Sequence, residues 1–181
     1  MVYTTMMNAQ RDIDPLLQAI HAIPLQALVK LAGLYEQLDH DIAQRKPICN
    51  TSGRCCKFEA WGHRLYVSTL ELAGFQHIMD VEINAKRFAD TIHSGMTFPL
   101  PLYTEHGEVS PGCPWQIDGL CTARAARPLG CRIYFCDTTA ESWQRERYEH
   151  YHQKIVALHE EFQIPYRYME WRQALALLPQ R

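Results

Sequence analysis

The chain has 181 residues, 47% of them hydrophobic and 21% charged, enough apolar material for the core of one globular domain spanning 1–181. A formal net charge of −2 and a sequence pI near 6.5 exclude a global basic field, so neither nucleic acid nor a membrane surface is expected as a partner. The first residues lack the basic start, apolar run and cleavage site of a secretory signal, and no window reaches the roughly 18 apolar residues of a membrane span, so a cytoplasmic location is expected.

Asp14-Pro15 reads as an N-cap with proline at the first helical position, and Pro24 should break that helix and open a second one to about Gln44. In the second helix Leu28, Leu31, Tyr35, Leu38 and Ile42 recur at steps of three and four, a stripe for the domain core or for a partner helix. These are the N-terminal helices, 14–44. Residues 46–56, KPICNTSGRCC, form a turn-rich loop. His63 to Val67 then has strand composition, and Ser68-Thr-Leu-Glu71 is a capping box opening a helix that buries Leu72, Phe75 and Met79. Asn84 is read as the cap of another helix with Phe88 and Ile92 inward. Pro99 and Pro101 allow at most an edge strand before a turn at His106-Gly107.

Residues 112–137 are punctuated by Gly112, Pro114, Gly119, Pro128 and Gly130, which predicts a loop with at most one helical turn near Ala123 to Ala126. Thr138-Thr-Ala-Glu141 is read as a second capping box, starting a helix to about Phe162 with Tyr148, Tyr151, Ile155, Leu158 and Phe162 on one face. Pro165 is expected to start a final helix carrying Tyr168, Trp171, Leu175 and Leu178 on its apolar side. The C-terminal helices thus occupy 138–178 and flank a cysteine-rich core, 46–137. The expected fold class is mainly α, an irregular helical domain with cysteine-rich metal-binding loops and at most a small β element.

The seven cysteines carry the chemistry. They run Cys49-x5-Cys55-Cys56, then fifty-six residues, then Cys113-x7-Cys121-x9-Cys131-x4-Cys136. In a reducing cytosol such spacing points to metal or redox groups before disulfides, and an odd count leaves one thiol over in any disulfide scaffold. Thiolates are soft donors suited to zinc and to iron–sulfur clusters, but the spacing matches neither paired zinc knuckles nor a ferredoxin run. Cys55 and Cys56 are adjacent and serve one centre only if the loop turns sharply. Seven thiolates fit one closed site with spare cysteines, or a four-cysteine site and a three-cysteine one with an open position.

Glycines at 53, 112, 119 and 130 let backbone N–H groups approach sulfur. Arg124, Arg127 and Arg132 bring positive charge among four thiolates, which offsets their repulsion; Arg127 and Arg132 are therefore candidate cofactor-binding residues. Of nine histidines, His63 and His106 lie near the cysteine loops. His150 and His152 point to different helical faces, while His159 can share a face with His152. No phosphate loop, nucleotide fingerprint, nucleophile elbow or HExxH motif is present.

At the cysteine segments the chain resembles the YkgJ-like cysteine-cluster family, described as zinc- or iron-chelating proteins. The family's C-x-x-C-G-x-C-C followed by C-P…C…R-P…C-R…C reads here as Cys49-Asn-Thr-Ser52-Gly53-Arg-Cys55-Cys56, then Cys113-Pro114, Cys121, Arg127-Pro128, Cys131-Arg132 and Cys136. Ser52 departs from it, standing where many relatives carry an eighth cysteine. A related module occurs in flagellin lysine methylases, where it is associated with an iron–sulfur cluster. Nothing here reads as a methyl-donor region, and methyl transfer is not carried over.

The expected function is chelation of an iron–sulfur cluster, a [4Fe–4S] form being favoured, or of zinc, through Cys49, Cys55, Cys56, Cys113, Cys121, Cys131 and Cys136. A cluster would serve electron transfer or redox sensing. The alternatives are a structural zinc module holding loops for a protein partner and a metalloenzyme with an open coordination position.

Overall fold

Proline sets the start of both N-terminal helices. In the structure, a computed structural model that describes residues 15–50, 52–58, 64–80, 112–171 and 174, α1 (Pro15–His21) begins on a residue whose missing N–H would have been unpaired anyway. Pro24, extended at φ −70° and ψ 144°, precedes α2 (Leu25–Arg45), so the predicted break falls where the ring removes a donor. α2 ends on Lys46 in the left-handed region (φ 52°), whose N–H closes on the Ile42 carbonyl. Ala27, Leu31, Tyr35 and Leu38 are buried, and the expected stripe is core. Its ends, Leu28 and Ile42, are only half-buried.

The capping box forms as the sequence requires. The Ser68 N–H donates to Glu71 Oε2 at 2.8 Å and the Glu71 N–H to Ser68 Oγ at 3.3 Å, which opens α3, helical over 69–80. Leu72, Phe75 and Met79 are buried as expected. Just before it, β1 (Tyr66–Ser68) pairs antiparallel with β4 (Tyr168–Glu170), Tyr66 opposite Glu170 and Ser68 opposite Tyr168.

β4 overturns the helix expected directly after Pro165. The main chain of this stretch is claimed by the sheet: the Thr69 N–H bonds the Arg167 carbonyl at 3.0 Å and the Trp171 N–H bonds the Leu65 carbonyl at 2.8 Å. Helical backbone resumes only at Trp171. Tyr168 is exposed and stacks on Tyr66 with ring centroids 5.4 Å apart, whereas Trp171 is in the core.

The second cysteine segment holds more regular structure than its glycines and prolines suggested. β2 (Gln116–Ile117) and β3 (Leu120–Cys121) form a hairpin whose central residues, Asp118 (φ 50°) and Gly119 (φ 80°), both have positive φ. This is the Asp-Gly signature of a type I′ turn. The expected helical turn at Ala123 to Ala126 is instead α4 (Leu129–Ile133), entered from Pro128. The cap of the next helix also differs from expectation. Asp137 Oδ1 accepts from the Thr139 N–H at 2.9 Å and from the Thr139 hydroxyl at 2.6 Å. A short 3-10 turn, Thr138–Ala140, then leads into α5 (Glu141–Glu161). The carboxylate accepts without giving up a rotatable proton, and it holds this position in place of the threonine.

α2, α4 and α5 share one hydrophobic cluster through Leu31, Tyr35, Leu38, Leu129, Ile133, Tyr151, Ile155 and Leu158. A second cluster joins Val67, Leu72, Phe75 and Trp171 to the cysteine segment. Among the described residues the fold is mainly helical with two small antiparallel sheets, and no helix is long and apolar enough to cross a membrane. The readings at Asn84, Phe88, Ile92, Pro99, Pro101, His63, His106-Gly107, Leu175 and Leu178 lie outside the described residues.

Candidate metal centre

All seven cysteines line one cavity of about 400 Å³, walled otherwise by Trp115, Trp171, Phe75 and Pro128 and reached by Arg124, Arg127 and Arg132. Two loops distant in sequence meet there through one main-chain bond and two bonds between a side chain and the main chain. The Cys113 N–H donates to the Cys56 carbonyl at 2.8 Å, Gln116 Nε2 donates to the Gly53 carbonyl at 2.8 Å, and the Ile48 N–H donates to Asp137 Oδ2 at 3.0 Å. No sequence signal marks Gln116 or Asp137 for these roles. The glycines allow close approach between the loops: a Cβ on Gly53 would lie 2.5 Å from Gln116 Nε2, and one on Gly112 would lie 3.0 Å from the Cys56 carbonyl oxygen.

The loop turns sharply enough for Cys55 and Cys56 to face one point. Gly53 sits at φ 69° and feeds the 3-10 turn Arg54–Cys56, a backbone that a side chain would strain. The two Sγ atoms come to 3.9 Å. A tetrahedral site with metal–sulfur bonds of about 2.3 Å has sulfurs roughly 3.8 Å apart, so this pair has the spacing of one tetrahedral edge.

Cys56 is the hub of the thiols. Its sulfur is in hydrogen-bonding contact with those of Cys113, Cys121 and Cys55, and these contacts push its own pKa far up. The proton it keeps is shared outwards. Hydrogen bonding with Cys56, whose one proton serves one partner at a time, lowers Cys55 and Cys121 to about 6 and lowers Cys113 as well. Burial raises Cys131, with Cys113 and Cys121 adding to the effect. Backbone N–H groups reinforce the ionised forms, from Trp115 onto Cys113 and from Ala123 onto Cys121. The donors are therefore residues two positions beyond each cysteine, and not the glycines.

Three sulfurs thus surround a fourth, in place of four around a void. Among the described residues no three Cys, His, Asp or Glu side chains stand as a ready-made set of metal ligands. The donor chemistry nevertheless suits a soft cation, because acidic thiols give up protons readily when one arrives.

Cys49 and Cys136 lie apart from this hub. Cys49 is exposed, and Cys136 Sγ is 3.7 Å from Ser52 Oγ. The arginines divide in the same way. Arg127 donates to the Arg124 and Cys131 carbonyls at 3.1 and 3.4 Å, and its charge favours ionised Cys55, Cys121 and Cys131. Arg132 is engaged elsewhere. It pairs with Asp39 at 2.9 Å, donates to the Arg127 and Ala125 carbonyls at 2.7 and 2.6 Å, and lies 4.3 Å over the Tyr35 ring.

No protein-family model, curated protein or solved structure matches the chain. The reading of the cavity therefore rests on its own residues. His159 is buried, with Nδ1 3.2 Å from the Ile164 carbonyl and Nε2 taking the Leu70 N–H at 3.4 Å, so both ring nitrogens are engaged away from the sulfurs. His152 meets the Tyr166 hydroxyl at 2.9 Å, and the His159 ring contacts the same tyrosine, which is the shared face expected of the two.

Proposed function

We propose that the chain is a cytoplasmic metal-binding protein of the YkgJ-like kind that holds an iron–sulfur cluster through its cysteine loops and uses it in electron transfer or redox sensing. The observation that carries this reading is the convergence of seven cysteines on one cavity, three of them gathered around the sulfur of Cys56. A cavity of about 400 Å³ is more than ten times the ~30 Å³ share of one water, room that suits a cluster better than one ion. On this reading Cys55, Cys56, Cys113 and Cys121 are the central ligands. The cation replaces the protons they share, and Arg127 offsets the remaining negative charge.

A structural zinc module for a protein partner is the second reading, favoured by the tetrahedral-edge spacing of Cys55 and Cys56. Anaerobic purification with metal analysis and visible absorption separates the two. A brown protein with stoichiometric iron and sulfide is expected, and a colourless one with stoichiometric zinc overturns the cluster. Cys56→Ser should lose nearly all bound metal, whereas Cys49→Ser should keep at least half. Wild-type metal content in Cys56→Ser counts against the hub as the site.

A further inference from the structure

α2 carries a second apolar stripe beside the one that joins the core. Leu25 and Val29 are 63% and 62% exposed, and with Ala32 they recur at steps of four and three, which places them on one face of the helix. This face forms one side of a groove of about 720 Å³, with Gly74, His77 and Ile78 of α3 on the other and Ala125 and Ala126 of the second cysteine loop beyond them. A Cβ on Gly74 would lie 3.0 Å from Leu31 Cδ2, so the two helices close the floor between them. The volume falls within the ~300–1,000 Å³ of small-molecule sites. The α2 side runs from Leu25 to Asp39, roughly 21 Å at ~1.5 Å per residue, a length that suits an extended chain better than a compact ring system.

The arginines and carboxylates of the lining gather at the Asp39 end. Arg132 is paired with Asp39 at 2.9 Å, and Arg127 is held by the Arg124 and Cys131 carbonyls. The exposed Arg124 guanidinium forms no ion pair or hydrogen bond with any described residue. Three arginines thus meet two carboxylates, Glu36 and Asp39, in the lining, which leaves this end net positive with one uncommitted cation. A guanidinium presents a planar fork that matches a carboxylate, and an alkyl chain laid on the exposed stripe removes apolar surface from water. We propose that the groove between α2 and α3 binds a straight-chain carboxylate, its alkyl body along Leu25, Val29 and Ala32 and its head on Arg124. Arg124, Arg127, Arg132 and Asp39 also line the cysteine cavity, so the head lies against the wall between the two sites. The groove stands apart from the metal-binding reading, and its test reads no metal.

Titration calorimetry of the full chain with decanoate, dodecanoate and decan-1-ol tests it. Dodecanoate is expected to bind about fifteenfold tighter than decanoate, because it buries two more methylenes. Arg124→Glu should weaken decanoate about tenfold or more and leave decan-1-ol unchanged. Ala32→Trp, at an exposed position of α2, fills the groove and should abolish binding of all three. Decan-1-ol bound by the wild type as tightly as decanoate overturns the proposal, as does wild-type affinity for decanoate in either variant. The absence of saturable binding to the wild type also overturns it. So does a groove taken by a second copy of the chain, read in sedimentation as a dimer that Ala32→Trp converts to a monomer.

Discussion

Glu71 and His159 are buried polar side chains whose pairing orders the backbone around them. Glu71, 3% exposed, accepts from the Ser68 and Leu129 N–H groups and from the Tyr35 hydroxyl at 2.8, 2.9 and 3.2 Å, so one carboxylate joins α2, α3 and α4. Its place in a capping box was legible because the spacing alone specifies it; the Leu129 bond was not, since it spans 58 residues. Burial lowers the His159 pKa below 6.5, which gives a pH dependence with a definite sign. The folded state keeps the ring neutral, while the unfolded chain takes a proton below about pH 6.5. The stability contributed by neutral His159 is present above that pH and falls away as pH drops towards the folded pKa. Urea midpoints are expected to decline from about pH 7.5 to about 5.5 in the wild type and to decline less in His159→Gln. Parallel curves would show that another group controls the acid limb.

At the scale of elements, the two positive-φ glycines differ in what surrounds them. Gly119, at the hairpin turn, has φ 80° and open space within 4 Å of where a Cβ would stand, whereas Gly53 has φ 69° and a Cβ there would collide with Gln116 and crowd the Gly119 carbonyl at 3.0 Å. Gly119→Ala should therefore cost only the left-handed backbone, about 1–2 kcal/mol. Gly53→Ala adds a steric clash, should cost about 3 kcal/mol, and should lower metal content by spreading the loops. Chemical denaturation with metal analysis checks both, and equal effects would show that the stitch through Gln116 is dispensable. Pro15, Pro24, the first capping box and the α2 stripe were readable because each acts within a few residues. β4 was not, because Tyr168 to Glu170 is extended only through its partner at Tyr66 to Ser68. The Asp118-Gly119 turn did carry a local signal, obscured by the neighbouring glycines and prolines. The cysteines marked the cavity that they line, but the approach of Cys55 to Cys56 depended on the Gly53 backbone, and the separation of Cys49 and Cys136 from the other thiols depended on tertiary stitching.

Across the whole molecule, the cavity lies where the two hydrophobic clusters meet the cysteine loops, and Arg132 is the rivet between them. Its guanidinium, 7% exposed, joins Asp39 and Tyr35 of α2 to the Arg127 and Ala125 carbonyls of the second loop. Removing one partner from such a pair leaves a buried charge unmatched. The loop is thus tied to α2 by protein groups of its own, contacts that small zinc modules lack. On the proposed metal-binding reading, a bound metal would add stability to this chain by mass action. At a thousandfold excess of free metal over its dissociation constant the gain is about 4 kcal/mol. For a domain of this size that corresponds to about 10 °C in melting temperature. Thermal melts followed by circular dichroism should show one cooperative transition both with bound metal and after anaerobic chelation, the chelated protein melting about 10 °C lower. Complete loss of helical signal on chelation would mean that metal, and not Arg132, holds the loops to α2; identical melts would mean that the cavity binds no metal.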